Sequence, residues 1–192
     1  MKKTSQEKLY EAALELITAQ GYENTTVLQI ATKAGLTERT FFRKFKNKAD
    51  IFFAGGEQYS QMLLTKMKES KANNPLAIVL ESYFYAADFF DEHRERTVKR
   101  QKIIASHPDL EERELLKQSK IEELLVEYLL TAYGERSARL AVRLARAVYS
   151  VAWEEWLEND ADSLHHLLEK AIADFNDCLL YTSPSPRDTE RS

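Results

Sequence analysis

Along most of the chain, apolar residues recur at the three- and four-residue spacing of an amphipathic helix. In the first such segment the apolar positions are Leu9, Ala12, Ala13, Leu16 and Ile17. Thr4 and Glu7 before it have the spacing of a capping box, although Ser5 could be the cap instead. Gly21 after it can adopt the left-handed conformation that ends many helices. The pattern predicts a first helix over about 5–20.

Two short helical segments follow this first helix. Thr26 and Gln29 have the spacing of a second capping box, and Gly35 ends the segment. Thr37 can then cap a third helix. Within that helix Phe41 and Phe45 are predicted to point inward. The sequence therefore predicts three short helices within residues 5–46, the last two joined by a very tight turn.

The helical pattern lengthens in the rest of the chain. Helices are predicted over about 48–70, 75–91, 93–106, 110–133, 135–158 and 163–180. Asn47 can cap the first of them, in which Gly55 and Gly56 are a weak point, and Asp162 or Ser163 can cap the last. No alternating strand pattern competes, so the predicted fold class is all-α. Residues 181–192 are Ser-, Pro- and Arg-rich, and we expect a disordered or non-native tail.

The composition agrees with a globular helical protein. The 192 residues are 44% hydrophobic and 30% charged, with only 5 Gly and 4 Pro, which excludes a largely disordered chain and favours long helices. A single cysteine, Cys178, excludes an intramolecular disulfide and a Cys-rich zinc site. No uncharged apolar stretch reaches the roughly 18 residues of a membrane span. We expect a cytoplasmic protein with no membrane partner.

Charge is distributed unevenly along the chain. The whole chain has 27 Lys and Arg against 31 Asp and Glu, a net charge of −4. Residues 1–53 nevertheless contain nine basic and six acidic residues, and the stretch from Arg39 to Lys48 has five positive charges and no acid. A basic N-terminal region on an acidic chain favours binding of nucleic acid by that region.

Residues 26–48 have the layout of a helix-turn-helix motif. Such a motif presents the polar N-terminal face of its second helix to base edges in the major groove, and basic residues around it contact phosphates. Base-edge candidates are Thr37, Glu38, Arg39 and Thr40; phosphate candidates are Arg43, Lys44, Lys46 and Lys48, with Thr26 at the start of the preceding helix.

Residues 9–53 resemble the DNA-binding region of TetR-family transcriptional regulators. The matching residues are Ala12-Ala13, Gly21-Tyr22, Thr25-Thr26-Val27, Ile30-Ala31, Ala34-Gly35-Leu36-Thr37, Thr40, Phe45 and Asn47-Lys48. The family usually has Tyr in place of Phe42, and that hydroxyl often reaches a phosphate. Phe42 cannot make this contact, although it is still expected among the DNA-binding residues, and Arg43 and Lys44 are candidates to compensate. A second, weaker resemblance links residues 96–157 to the mycofactocin-type regulator group.

The resemblance implies a domain organisation and a function. Residues 1–47 would form the DNA-binding domain and 48–180 a helical regulatory and dimerisation domain, followed by the tail. The implied function is a ligand-responsive dimeric regulator, more often a repressor, that reads a palindromic operator through helix 37–45. Dimerisation is expected through 135–158 and 163–180, and the effector would be a hydrophobic or aromatic small molecule. No cofactor or metal is expected.

The effector would occupy a pocket among the later helices. Candidate lining residues are Tyr83, Phe84, Phe90, His93, Arg100 and Trp153. The aromatic residues could equally fill the core, since an aromatic stripe at helical spacing usually does. Arg100 would suit a carboxylate, but it could pair with Glu81, Glu95 or solvent instead.

Two other classes of function remain open at this point. A helical enzyme or ligand carrier would need a catalytic motif, and the sequence contains no nucleophile–base grouping, phosphate-binding Gly-rich loop or zinc motif. The two adjacent histidines, His165 and His166, do not predict a metal site either, because their side chains point about 100° apart on a helix and are poor joint ligands for one metal. A module that binds a protein partner through its helical body, with DNA binding incidental, is compatible with the sequence.

Overall fold

The fold is that of a computed structural model, which describes residues 3–180. Helices and short connections account for these residues, and no strand occurs among them, so the all-α fold class is confirmed. The predicted tail at 181–192 lies outside the described residues. Within the described part of the chain, no helix combines the length and apolar character needed to cross a membrane.

Ten helices occur among the described residues. They are α1 (Ser5–Gln20), α2 (Val27–Lys33), α3 (Glu38–Lys44), α4 (Asp50–Phe53), α5 (Gly56–Glu69), α6 (Pro75–Glu92), α7 (Arg94–Ala105), α8 (Pro108–Tyr133), α9 (Glu135–Glu158) and α10 (Leu164–Leu180).

The predicted helix over 48–70 is wrong as a single element. It is divided into α4 and α5 by a turn at Ala54 and Gly55. Glycine disfavours the helix interior because it loses much conformational freedom on folding, so the chain turns at the predicted weak point. The Asn47 side chain does cap this segment by accepting from the backbone N–H of Asp50 (3.0 Å).

At α8, Pro108 occupies the first helical position, where its missing N–H costs nothing.

The chain divides into two compact units. The first consists of residues up to Met62 together with His93–Leu124. Within it, α1 packs against α2, α3, α4 and α7. Its buried core includes Leu9, Ala13, Ile30, Phe41, Ile51, Ile104 and Leu110. This division differs from the predicted boundary between residues 47 and 48, because buried residues of α7 and α8 share the core of α1 to α4.

The second unit consists of Leu63–Glu92 and the residues from Leu125 onward. In it α6, α9 and α10 pack against one another. Small residues on α9, among them Ala138, Ala145 and Ala152, are fully buried and allow close approach of the neighbouring helices. Trp156 is the largest fully buried side chain of this unit.

A half-buried carboxylate fixes the start of α10. Asp91 Oδ1 accepts hydrogen bonds from Trp156 Nε1 and from the backbone N–H of Leu164, both at 2.8 Å. Its second oxygen accepts from the backbone N–H of His165 (3.2 Å). Ser163 Oγ accepts from the third N–H of the helix, so Ser163 is the cap residue of the two that the sequence offered. The N-terminal N–H groups of α10 are thereby satisfied.

Candidate nucleic-acid interface

The turn between α2 and α3 is as tight as the sequence predicts. The backbone N–H of Leu36 donates to Ala31 O (2.9 Å), and that of Gly35 donates to Thr32 O (3.0 Å). These two bonds form a Schellman motif, which requires a left-handed residue. Gly35 supplies it with φ of +67°. The motif carries the chain from the end of α2 to the cap of α3 in three residues.

The side chains that α2 and α3 direct into the core are buried. Ile30, Ala31 and Phe41 are 0% exposed, and Phe45 is 4% exposed, which confirms the predicted inward direction of the two phenylalanines. These residues belong to one core that includes residues of α1. Because one face of α3 is held in this core, the opposite face is fixed in direction and remains accessible.

Threonine side chains cap both helices of the motif. Thr26 Oγ1 accepts from the backbone N–H of Gln29 (3.2 Å), and Gln29 Oε1 accepts from that of Thr26 (2.8 Å), so the predicted capping box is present. Thr37 Oγ1 accepts from the backbone N–H of Thr40 (3.2 Å). The Thr37 and Thr40 hydroxyls are 3.1 Å apart at the start of α3. The two caps fix where each helix begins.

Four cationic side chains on and after α3 are exposed. They are Arg39, Arg43, Lys44 and Lys46. Among the residues that the structure describes, none of these four side chains takes part in an ion pair or a side-chain hydrogen bond. Opposite charges on the protein therefore do not neutralise them, and they are available for an external anion.

Lys48 differs from these four cations. Its ammonium donates to the backbone carbonyls of Tyr22 and Thr25, the latter at 2.9 Å. It also lies 3.9 Å from the centre of the Tyr22 ring, a cation–π contact. Burial lowers the pKa of the Lys48 ammonium. Lys48, predicted as a phosphate contact, thus binds the loop between α1 and α2, a role that sequence reasoning missed.

Asp50 organises the segment after α3. Its carboxylate accepts from the backbone N–H of Lys46 (2.8 Å) and from the Arg113 guanidinium (2.5 Å). Burial alone would raise the pKa of Asp50, but the hydrogen bonds from Arg113 and Lys46 and the positive charge of Arg113 lower it overall. The Arg113 guanidinium also lies 4.5 Å from the centre of the Phe53 ring. These contacts connect α8 to the loop that carries Lys46.

Arg100, a candidate ligand-binding residue, is engaged within the first unit. Its Nε donates to Phe52 O (2.9 Å) and its terminal nitrogen to Glu114 (2.6 Å). Glu114 also accepts from Lys117 Nζ (2.5 Å). Burial would raise the pKa of Glu114, but attraction by Arg100 and Lys117 lowers it to about 2. The partner of Arg100 is therefore Glu114 rather than Glu81 or Glu95.

All four Phe, Tyr and Trp pocket candidates lie in the second unit. Tyr83, which is 3% exposed, stacks on Tyr149 with ring centres 4.7 Å apart. Tyr149 in turn stacks on Trp153 at 5.9 Å, and Phe90 contacts Trp153 edge-on at 4.9 Å. These four rings form one continuous aromatic cluster of α6 and α9.

The two remaining ring-bearing candidates, Phe84 and His93, have other surroundings than the residues of this cluster. Phe84 lies 4.8 Å from the ring of His165. His93 is exposed just before α7 and, like Arg100, belongs to the first unit. The six pocket candidates thus fall into both units. Among the described residues, no group of three or more His, Cys, Asp or Glu side chains is arranged to hold a metal ion.

Sequence reasoning missed a cavity in the first unit. It has a volume of about 280 Å³ and is lined by residues of α1 and α7 and the residues that follow each. The lining includes Ile17, Tyr22, Lys99 and Lys102. Lys99 is paired with Glu95 at 2.6 Å. The mixed lining has no cluster of aromatic residues of the kind found in the second unit.

Comparison with known proteins identifies relatives of most of the chain. Residues 9–54, which span most of α1 and all of α2 to α4, match the family of bacterial regulatory proteins, tetR family. A fatty acid metabolism regulator protein of Bacillus subtilis is 29% identical over 171 residues, covering 80% of this chain and 84% of that protein. A provisionally assigned mycofactocin biosynthesis transcriptional regulator of Mycobacterium tuberculosis is 24% identical, with 88% of each chain covered.

The fold also matches solved structures. The structure of the SmeT–triclosan complex superposes with a TM-score of 0.64 at 19% identity, covering 90% of this chain and 91% of that chain. At this identity the likeness concerns the fold. It extends well beyond the helix-turn-helix motif into the later helices.

Proposed function

We propose that this chain, whose residues 9–54 match the tetR family of bacterial regulatory proteins, is a ligand-responsive repressor that binds a palindromic operator as a homodimer in the cytoplasm. The family and the relatives are transcriptional regulators rather than enzymes. The observation that carries the proposal is the exposed surface of α3 and the residue that follows its C-cap. Arg39 on the first turn, Arg43 and Lys44 on the last turn, and Lys46 after the helix have no ion-pair or side-chain hydrogen-bond partner among the described residues.

In the proposed complex α3 lies in the major groove. Glu38 and Arg39 lie on its exposed first turn, where they meet base edges, and the hydroxyls of Thr37 and Thr40 are beside them. Arg43, Lys44 and Lys46, together with Thr26 at the start of α2, contact phosphates along the rims of the groove. Phosphate contacts supply most of the affinity, and the base contacts supply the sequence preference.

Two substitutions separate these roles. Arg39→Ala should cost about 1–3 kcal/mol of binding free energy and relax the sequence preference at its position. Lys46→Ala should weaken binding to all duplexes and reduce the slope of log affinity against log salt by about 1, because it removes one phosphate interaction. Lys120→Ala, which removes an exposed cation of α8, is the control and should change neither quantity. Fluorescence anisotropy across a salt series measures both, and unchanged binding by both test variants would refute the assignment.

An exposed apolar stripe supports dimerisation through α9 and α10. Leu140, Leu144 and Val151 lie at helical spacing on α9 and are 54%, 37% and 59% exposed. Leu179 on α10 is 52% exposed. Apolar side chains gathered on adjacent helices mark association surfaces. A two-fold dimer through them presents two copies of α3, which suits half-sites about 34–36 Å apart on a palindrome.

Sedimentation equilibrium tests this interface. Val151→Glu places a charge in the stripe and should convert the dimer to monomer at micromolar concentration. Leu115→Glu is the matched control, because Leu115 is equally accessible (66% exposed) but lies on α8 in the first unit. A dimer that survives Val151→Glu, or one that is lost with Leu115→Glu, would contradict the proposed interface.

The aromatic cluster of the second unit supports an apolar or aromatic effector. Stacked rings of Tyr83, Tyr149 and Trp153 offer the lining that such molecules prefer. The solved complex of SmeT holds triclosan, an apolar aromatic molecule, and the Bacillus subtilis relative is named for fatty acid metabolism. Binding of the effector shifts the DNA affinity only if the effector prefers one state of the dimer.

Thermal shift with triclosan and with a long-chain fatty acid as probes tests this site. A rise in the unfolding temperature that Tyr83→Leu removes and Leu116→Ala retains would support the aromatic site. Release of bound DNA by the same probe would support ligand-responsive repression. No shift with either probe class, or an equal shift in Tyr83→Leu, would count against this effector class at this site.

A further inference from the structure

Phe42 is an exposed aromatic side chain on the exposed face of α3. It is 56% exposed, whereas its neighbour Phe41 is 0% exposed. In a helix, residues three and four positions apart share a face, so Phe42 lies beside Arg39 and Glu38, which are also exposed. The ring therefore stands within the surface that the proposed function assigns to base edges.

The ring of Phe42 is held in a defined position. It meets the Phe41 ring edge-on, with ring centres 5.4 Å apart and an angle of 77° between the planes. Phe41 is itself fixed in the core by Phe45, at 5.3 Å. A buried aromatic neighbour thus supports the exposed ring from below, and its outer face has no apolar partner that the described contacts show.

The chemistry of this ring restricts what it can recognise. A phenyl group has no hydrogen-bond donor, so it cannot bind a phosphate oxygen as a hydroxyl would. The apolar group that base pairs present in the major groove is the C5 methyl of thymine. Burial of apolar surface away from water lowers the free energy. A phenyl ring on this face therefore favours thymine, which has the methyl group, over cytosine or uracil, which lack it.

We propose that Phe42 is a specificity-determining residue that reads a thymine in each half-site by packing its ring on the C5 methyl group. The inference rests on the proposed function, since it requires α3 to lie in the major groove. It adds a direct base contact that differs in kind from the phosphate contacts of Arg43 and Lys44, which follow Phe42 on the same helix.

Replacement of thymine by uracil is the direct test. Deoxyuridine removes the methyl group and keeps every hydrogen-bonding atom of the base. Wild-type protein should lose about 4-fold in affinity when the contacted thymine of one half-site is replaced, and about 15-fold when both are replaced, as expected for removal of one buried methyl per half-site. Phe42→Ala should bind the thymine and uracil duplexes equally, and Phe42→Tyr should retain the preference.

Leu116→Ala is the matched control for this experiment. Leu116 is as exposed as Phe42 (56%) but lies on α8, so its removal should leave the thymine preference unchanged. Phe42 is exposed, and Phe42→Ala should therefore fold normally, which a thermal melt verifies. The duplexes come from the operator that the wild-type protein selects from random DNA.

Two results would overturn the inference. Phe42→Ala could still discriminate thymine from uracil as the wild type does, and an equal loss of affinity for both duplexes in that variant would place the ring against the sugar-phosphate backbone. The wild type could also be insensitive to uracil at every half-site thymine. Failure of the wild type to select any duplex is a distinct outcome, because it refutes the proposed function on which the inference rests.

Discussion

Replacement of Glu114 by Gln tests the energetic argument for the first unit. Glu114 is 9% exposed and accepts from Arg100 and Lys117, whose side chains are only 16% and 22% exposed. Glutamine keeps the size of the side chain but removes its charge. The two cations then remain largely buried without their partner, which is more costly than the loss of a surface ion pair.

The magnitude follows from the pKa of the Glu114 carboxyl. Burial disfavours its charge, but Arg100 and Lys117 lower the pKa from 4.5 to about 2. At about 1.4 kcal/mol for each pKa unit, the charged form stabilises the folded state by about 3 kcal/mol at pH 7. Because the pKa is lower in the folded state, this contribution is nearly complete above the unfolded-state value of 4.5. It is lost as the pH falls toward the folded-state value, with less than half of it remaining at about pH 3.

Urea denaturation at fixed protein concentration provides the assay, since the stability of a protein that dimerises depends on its concentration. Glu114→Gln should lower the free energy of unfolding by about 3 kcal/mol at pH 7 and by less than half of that at pH 3. Glu111→Gln, on the exposed part of the same helix, should stay within about 0.5 kcal/mol of wild type. A Glu114→Gln effect below about 1 kcal/mol at pH 7, or one that is equal at both pH values, would refute the reasoning.

Three further changes test separate contacts. Asp91→Ala removes the acceptor of the Trp156 indole N–H and of two backbone N–H groups of α10, so it should lower the free energy of unfolding in urea by about 2–3 kcal/mol. A decrease under about 0.5 kcal/mol would contradict this role of Asp91. Gly35→Ala should lower the free energy of unfolding by about 1–2 kcal/mol, because an alanine is strained at the positive φ of this position. Gly55→Ala, which has open space around it, should lower it by less, and equal decreases in the two variants would contradict the backbone strain at position 35. Lys48→Met should destabilise the fold and leave the slope of log DNA affinity against log salt unchanged, whereas Lys46→Met should flatten that slope. A flattened slope in Lys48→Met would show that Lys48 contacts a phosphate instead.

The elements with local signals could be predicted from the sequence. The capping boxes of Thr4 and Thr26 and the turn at Gly35 depend on residues within a few positions of one another, and the structure has them as predicted. The inward face of α3 followed from the spacing of Phe41 and Phe45. In each case the physical cause lies within one helical turn, so the sequence pattern contains it.

Contacts between distant residues could not be predicted in this way. Asp91 caps a helix that begins 73 residues later, and Lys48 binds a carbonyl 26 residues earlier in the chain. Nothing local distinguishes Lys48 from Lys46, although one is used by the protein and the other is exposed. The exposed ring of Phe42 was named as a DNA-contacting residue, but its support by Phe41 becomes visible only in the fold.

Selection of random duplex DNA by the purified protein, repeated across salt concentrations, is the decisive test of operator binding. Protein that has been unfolded, dialysed and refolded should be included, so that a copurified ligand cannot hide DNA binding. A dimeric operator-binding repressor should enrich a palindrome with half-sites about one helical turn apart, and its affinity should fall steeply with salt. Absence of sequence preference and of salt dependence in both preparations would contradict operator binding, and would favour a protein-binding module instead.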